Sequence, residues 1–391
     1  MNISILKTLQ NLQSLLIDIV NNADFELEEK MEKLFCYFNE IEIENNMMIY
    51  DRFIGLLSHI SIVRSSSTKN IFHIITKILN QLIWKHSLKN LFTSSRLLFY
   101  FSENNPILLY LYENNVIELS SIKTRLEKYP SFNMHHFFFP EMVSNFITDY
   151  FMKSICSIGE KSHRFHENTN SYDELVKFTQ NNEVKTFISY IVTNARKIES
   201  DLNSTIQRSF QNETSYEIRT NCHSDDELAR IIQKDDITSF ISYTIKKAYQ
   251  LEFGLNSNIK SSYLEINPDI NRCPTGISLL EYSMAFGAIN IFKYLWLNRV
   301  EYSQLSMRYS IIGGNSEIIQ ILLNESRYKY TKDEYIISIK YHQQDIKQFL
   351  ENHLDNLIKE GQDLHSLIKY FNYEFIIDQF EIILTNGTIC L

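Results

Sequence analysis

"SLLEYSMAFGAINIFKYLWLN" (Ser278–Asn298) and "LSMRYSIIGGNSEIIQILL" (Leu305–Leu323) read as two tandem copies of one helix-turn-helix unit. Aligned on Gly287 and Gly314, they superpose at a spacing of 27 residues. Ser283 then falls on Ser310, Asn290 on Glu317, Ile291-Phe292 on Ile318-Ile319, and Leu295 on Leu322. In each copy a short helix ends at a glycine, the residue that takes up a left-handed C-cap without a Cβ clash. A second helix follows at once, with apolar residues at i, i+1, i+4 and i+5 forming a one-sided stripe. Small residues at Ser283 and Ala285 let the first helix approach its neighbour closely. Neither helix is long enough to stand alone in water. Each must bury its stripe against the next copy, which is the logic of a stacked repeat.

Further copies are readable on both sides. Asp173-Glu174-Leu175, Gln180 and Phe187-Ile188-Ser189-Tyr190 recur as Asp226-Glu227-Leu228, Gln233 and Phe240-Ile241-Ser242-Tyr243, at a constant offset of 53. Beyond Leu323, Ser338 to His342 leads to Asp345-Ile346 and Phe349-Leu350, with His342 in the place of the glycine. A degenerate copy around Leu367 to Leu384 reads as a capping helix pair, since terminal repeats are atypical. The connectors at about Ala195–Ser224 and Ala248–Gly276 are long and polar, and predict some disorder or an extended insertion.

With these residues in view, the unit resembles an ankyrin repeat, whose core runs T-P-L-H-x-A-A-x-x-G-H-x-x-V-V-x-L-L-L. Ser278 takes the place of the Thr, Leu280 of the Leu, Ser283 of the first Ala and Gly287 of the Gly, with Ile291, Phe292 and Leu295 as the stripe. Leu305, Met307, Ser310, Gly314, Ile318, Ile319 and Leu322 do the same in the second copy. The Pro, the His and the second Ala are absent from both, which weakens the capping and hairpin details but not the helix pair. The resemblance extends to the divergent ankyrin-repeat proteins expanded in some protist genomes and covers roughly the second half of the chain.

Composition agrees with helices. Nine glycines and five prolines in 391 residues stand against roughly 47 of the two together at average usage. So few turn residues argue against a many-stranded β fold. A hydrophobic content of 44%, with 26 Phe and 23 Tyr, supplies a large core and excludes a disordered chain. The net charge of −9 offers no basic field to displace counterions from nucleic acid. Five widely spaced cysteines fit reduced thiols in the cytosol better than a disulfide framework. Residues 1–22 alternate Ile5, Leu9, Leu12, Leu16 and Ile19 with Lys7, Gln10, Gln13 and Asp18, an amphipathic helix and not a signal peptide. No window approaches the roughly 18 apolar residues of a spanning helix.

The expected fold is therefore all-α: an N-terminal helical domain over 1–156, a polar linker over 157–171, and a stacked ankyrin-like solenoid over 172–384. Its copies are clearest at 278–323 and weaker at 172–190, 225–243, 335–350 and 363–384, with a tail at 385–391. In the N-terminal region helices are expected over Glu26–Asn39 and Asn45–Val63. Ser65 to Thr68 offer a cap before the stripe from Ile71 to Leu82. Asn104-Asn105-Pro106 starts another helix, whose end at Asn114-Asn115-Val116 resembles the end of a repeat and its loop.

Cys156, His163 and His166 have a metal-like spacing with no fourth ligand nearby, and a solvated loop accounts for them better. His135-His136, before Phe137-Phe138-Phe139, reads as a half-buried pair at a helix edge. Gly313-Gly314-Asn315 lacks the Lys and the strand of a phosphate loop. Asp225-Asp226-Glu227 sits where acids complement a helix N-terminus. The aromatic run Phe286, Phe292, Tyr294 and Trp296 reads mostly as core. No catalytic site, cofactor or metal is expected.

The reading is a non-catalytic cytoplasmic protein-binding module. The resemblance implies contact through the finger loops and the concave face of the first helices. Transferred position by position, the fingers are about Arg299–Gln304 and Arg327–Lys332, with Glu301, Tyr302, Gln304, Arg327, Tyr328 and Tyr330 as exposed contact candidates; Tyr and Arg often anchor interfaces. Two rivals stand beside it. One is an enzyme subunit with a polar pocket between about residues 50 and 150. The other is a self-assembling solenoid with apolar surface at one end.

Overall fold

In the computed structural model the chain is mostly helical. The described residues are 3–21, 26–68, 70–129, 131–138, 141–142, 214–248, 254–272, 275–353 and 364–377. The expected linker with Cys156, His163 and His166, the copy at 172–190 and the tail lie outside them. The chain divides into two compact units. One comprises Met1–Leu91, Asp226–Ile259 and Ile277–Leu391; the other comprises Phe92–Asp225 and Lys260–Gly276.

The first unit opens with α1 (Ile3–Asn21), α2 (Leu27–Glu40), α3 (Met47–Val63), α4 (Ile71–Lys85) and the single turn α5 (Leu88–Leu91). The α1 stripe of Leu9, Leu12, Leu16 and Ile19 is fully buried, as are Phe53, Leu56, Leu57 and Ile60 of α3, and α1 packs on both α2 and α3. Ser65 to Thr68 do not cap α4. Its N-cap is Asn70, in the left-handed region at φ 56° without a side-chain bond. Ser65 Oγ instead donates to the Ile62 carbonyl and Thr68 Oγ1 to the Val20 carbonyl.

The second unit contains α6 (Ser94–Tyr100), α7 (Asn105–Glu113), α8 (Leu119–Lys128), α9 (Phe132–Phe137) and α10 (Thr214–Thr220). Asn104 caps α7, accepting from Ile107 N, with Pro106 in the first turn. The end of α7 is a left-handed turn at Asn115 (φ 55°) closed by Val116 N to Leu111 O. Arg219 of α10 donates to the Phe137 carbonyl and to both oxygens of Glu141. His135 is buried, which pushes its imidazole down to about 4. Residues 260–272 form an ordered insertion burying Leu264, Ile266 and Ile270, held by Asn271 against the Ser262 and Glu265 carbonyls.

The first unit resumes as helix pairs. These are α11 (Glu227–Gln233) with α12 (Ile237–Ala248), α13 (Leu279–Ala285) with α14 (Ile289–Leu297), and α15 (Arg308–Gly313) with α16 (Ser316–Glu325). Then come α17 (Lys332–Lys340) with α18 (Gln344–His353), and α19 (Leu364–Lys369) with a further helical stretch at 373–377. First helices touch first helices along the row α11, α13, α15, α17, α19, and second helices touch along α12, α14, α16. A two-residue antiparallel ladder, β1 (Asn258–Ile259) with β2 (Ile277–Ser278), precedes α13.

Each pair bends through one left-handed residue: Asp235, Gly287, Gly314, His342 and Phe371, the last four at intervals of 27, 28 and 29. Four of the five turns close with the same backbone bond, six residues to one. Asp236 N donates to Ile231 O, Ala288 N to Ser283 O, Gln343 N to Ser338 O and Asn372 N to Leu367 O. Inside the first helices Ser283, Ser310 and Ser338 are buried, and each donates its hydroxyl to the carbonyl three residues back.

Candidate protein-binding site

The loops joining one pair to the next carry the candidate contact residues. α14 ends at Asn298, whose Nδ2 donates to the Tyr294 carbonyl. Arg299 then turns left-handed and Val300 N closes on Leu295 O. The next first helix is entered through a capping box at Ser303–Ser306, and the one after it through Thr331–Glu334. The box at Ser278–Glu281 that starts α13 links the pairs, because Ser306 Oγ donates to Glu281 Oε1 at 2.8 Å.

Between these fixed ends the two loops interlock through side chains. The Tyr302 ring lies 5.1 Å from Trp296 and 5.4 Å, edge-on, from Tyr328. Its hydroxyl accepts from Arg327 N and shares a hydrogen bond with Ser326 Oγ. The Arg327 guanidinium stands over both tyrosine rings, at 5.3 Å from Tyr302 and 4.8 Å from Tyr328, while Nη2 donates to the Tyr302 carbonyl. At an exposed site such a cation–π contact is worth about 0.5–1 kcal/mol. Gln304 Nε2 donates to the Lys329 carbonyl, Trp296 Nε1 to Glu325 Oε2, and Glu301 N to Asn256 Oδ1. The result is a pre-ordered platform of Trp296, Tyr302, Tyr328 and Arg327.

Of the six candidates, Glu301 and Arg327 are exposed, and Tyr302, Gln304 and Tyr328 are half-buried within the platform. Tyr330 is not exposed. It is 6% accessible, its hydroxyl sits 3.0 Å from Ser310 Oγ, and burial pushes the phenol far above its usual range. Its position between Lys329 and Thr331 hid this, because the hydroxyl it meets, on Ser310, lies twenty residues earlier. Of the aromatic run, Phe292 is core whereas Phe286, Tyr294 and Trp296 are half-buried. The alignment that set Leu305 against Ser278 also slips: Ser303 holds the cap and Leu305 is 62% exposed. Leu297, 80% exposed at the end of α14, falls just outside the i, i+1, i+4, i+5 stripe, and that spacing was the available signal.

Two expectations about other motifs can be placed. Asp226 caps α11, accepting from Leu228 N and Ala229 N. Gly313 is the last residue of α15, Gly314 its left-handed cap, and Asn315 caps α16. A cavity of about 530 Å³ lies on α11 and α12, lined by Arg230, Lys234, Lys246 and Lys247 with Glu227 and Asp236, and without a histidine. No helix among the described residues is long and apolar enough to cross a membrane.

Comparison with characterised proteins and with solved structures gave no match. Comparison with protein families matches residues 297–378 to one described as a domain of unknown function (DUF3447), a segment that begins at the exposed end of α14 and takes in both loops and the last three helix pairs.

Proposed function

We propose that the protein is a non-catalytic binding module, a divergent ankyrin-like solenoid that holds a protein partner through the loops between its helix pairs and the adjoining face of its first helices. One observation carries this reading. The Trp296–Tyr302–Tyr328–Arg327 platform is ordered by its own contacts, so a partner meeting it finds aromatic and guanidinium groups already in place, which limits the entropy lost on association. Further support comes from the family matched over 297–378, which is often associated with ankyrin-repeat proteins. The free thiols at Cys36 and Cys222 are in keeping with action in the cytosol, and no cofactor or nucleic acid enters the proposal.

The test is affinity capture with the full chain and with Glu301→Ala/Arg327→Ala, read by quantitative mass spectrometry. Both residues are exposed, so helical content should be unchanged. A partner held by wild type and depleted at least tenfold on the variant supports the reading. Identical capture by the two proteins refutes it.

A further inference from the structure

His342 occupies the turn position that glycine holds at 287 and 314, with a left-handed backbone at φ 51°. Its imidazole is 2% accessible. Nε2 lies 2.9 Å from the Tyr370 carbonyl, which can only accept, so Nε2 carries the hydrogen and Nδ1 is the bare nitrogen. Nδ1 faces Gln13 Nε2 of α1 at 3.3 Å. The Gln13 amide cannot be turned round, because its Oε1 receives the backbone N–H groups of Tyr373 and Glu374 and its Nε2 also donates to Asn372 Oδ1. Asn372 Nδ2 donates in turn to the Ile339 carbonyl.

From α3, His59 Nε2 donates to the Lys340 carbonyl at 2.7 Å, and its ring lies 5.6 Å from His342 and 5.7 Å from Tyr370. Arg64, 5% accessible, donates to the Tyr341 carbonyl and to Asn21 Oδ1. The groups facing His342 are thus neutral or cationic: Gln13 from α1, His59 and Arg64 from α3, and Tyr341 and Tyr370 from the ends of α17 and α19. Lys340 and Lys369 lie over the rings of those two tyrosines. Glu374 enters through its backbone N–H, and none of these hydrogen bonds involves a carboxylate.

We propose that this network is a proton-sensitive clasp: protonation of His342 turns Nδ1 from acceptor to donor against the Gln13 amide hydrogens, beside Arg64 and His59, and releases α1 and α3 from the last turns of the row. Burial, reinforced by His59 and Arg64, holds this imidazole well below the usual histidine range. The clasped state therefore binds fewer protons than the open one. The clasp is fully held above about pH 6.5 and weakens as pH falls through that value, with the opening constant rising about tenfold per pH unit for one proton.

Hydrogen exchange of the full chain at pH 7.5 and 5.5, corrected for intrinsic rates, tests this. In wild type, peptides over 3–21, 53–68 and 338–346 should exchange about tenfold faster at pH 5.5, with 279–323 unchanged. His342→Gly, which suits the left-handed turn as Gly287 and Gly314 do, and His342→Asn, which tolerates it, should both abolish the difference. His59→Gln, which keeps a donor for the Lys340 carbonyl, should retain it. The proposal is overturned if wild type shows no local pH effect, if the effect survives in both His342 variants, or if it is lost with His59 alone.

Discussion

Gly313→Ala separates two physical arguments that give opposite signs. Gly313 ends α15 with an ordinary helical backbone, so helix propensity alone makes alanine more stable by about 1 kcal/mol. Packing argues the other way. A Cβ at this position would stand 2.0 Å from the Met284 carbonyl oxygen, 2.9 Å from Gly287 N and 3.1 Å from the Ala285 carbonyl carbon. All three are backbone atoms, so no side chain can swing aside and α15 must move off α13 by about 1 Å or more. The two helices are packed on each other and carry the buried residues Leu280, Met284, Ile311 and Ile312. Overpacking of this kind costs about 1–3 kcal/mol and sometimes more, and contact with rigid backbone places Gly313→Ala at the top of that range, net of propensity. Gly287→Ala is the control. Its φ of +63° carries a left-handed cost of about 1–2 kcal/mol, but the new Cβ meets nothing nearer than Asn315 Cβ and the Gly313 oxygen at 3.5 Å. Gly314→Ala, at φ +68°, meets the mobile end of the Gln343 side chain and should resemble Gly287→Ala. Urea unfolding followed by circular dichroism gives the order, and hydrogen exchange over 279–323 confirms where the loss lies. A Gly313→Ala protein no less stable than Gly287→Ala would refute the packing argument.

Asp235→Asn keeps a residue that tolerates the left-handed turn but sets an amide NH2 among donors, since Asp235 accepts from Asn290 N, Asn290 Nδ2 and Ile291 N. Thermal denaturation should show a loss of about 1 kcal/mol, and an unchanged midpoint would mean the cap is idle. Tyr330→Phe should cost about 1 kcal/mol through the Ser310 bond while partner capture stays intact. A variant that lost capture without losing stability would return Tyr330 to the surface.

The local part of the fold was legible in the sequence. Gly287, Gly314 and Asn104 before Pro106 each announce a cap or turn through residues within one helical turn of one another and each holds that place, whereas Ser65 to Thr68 announce a cap that Asn70 holds instead. The end of α7 shows the same legibility at motif level. Tyr110-Leu111-Tyr112-Glu113-Asn114-Asn115-Val116 and Tyr294-Leu295-Trp296-Leu297-Asn298-Arg299-Val300 close with the same three features. Each has an Asn side chain on the tyrosine carbonyl, a left-handed residue, and a valine N–H on the leucine carbonyl. What local spacing cannot record is partnership at long range. Gln13 meets His342 and Asn372 across more than 300 positions, and nothing in the α1 stripe marks its one fully buried amide. The candidate platform was half legible for the same reason: its tyrosines and arginine were visible by type, but the burial of Tyr330 and the participation of Trp296 depend on neighbours one repeat away.

The five left-handed turns explain why the glycine of the unit is kept in only two copies. A non-glycine residue there carries strain of about 1–2 kcal/mol, which the side-chain contacts of Asp235 and His342 offset. Asp235 does so by capping a helix of the next pair: the N-cap of α14 is Ala288, which has no capping side chain, and the Asp235 carboxylate receives the N–H groups of Asn290 and Ile291 instead. Hydrogen bonds to a charged acceptor are worth about 1.5–3 kcal/mol, enough to offset the turn. His342 reaches onward to the Tyr370 carbonyl and outward to Gln13. At Gly287 and Gly314 no side chain makes such a link: a Cβ at Gly287 would meet Asn315 and the Gly313 oxygen only at ordinary contact distance, and one at Gly314 would meet the movable end of Gln343. The same backbone position thus serves either as a silent turn or as the link between one helix pair and another element. At Asp235 and His342 the side chain makes that link, so helix pairs that bend through the same left-handed position carry different residues there.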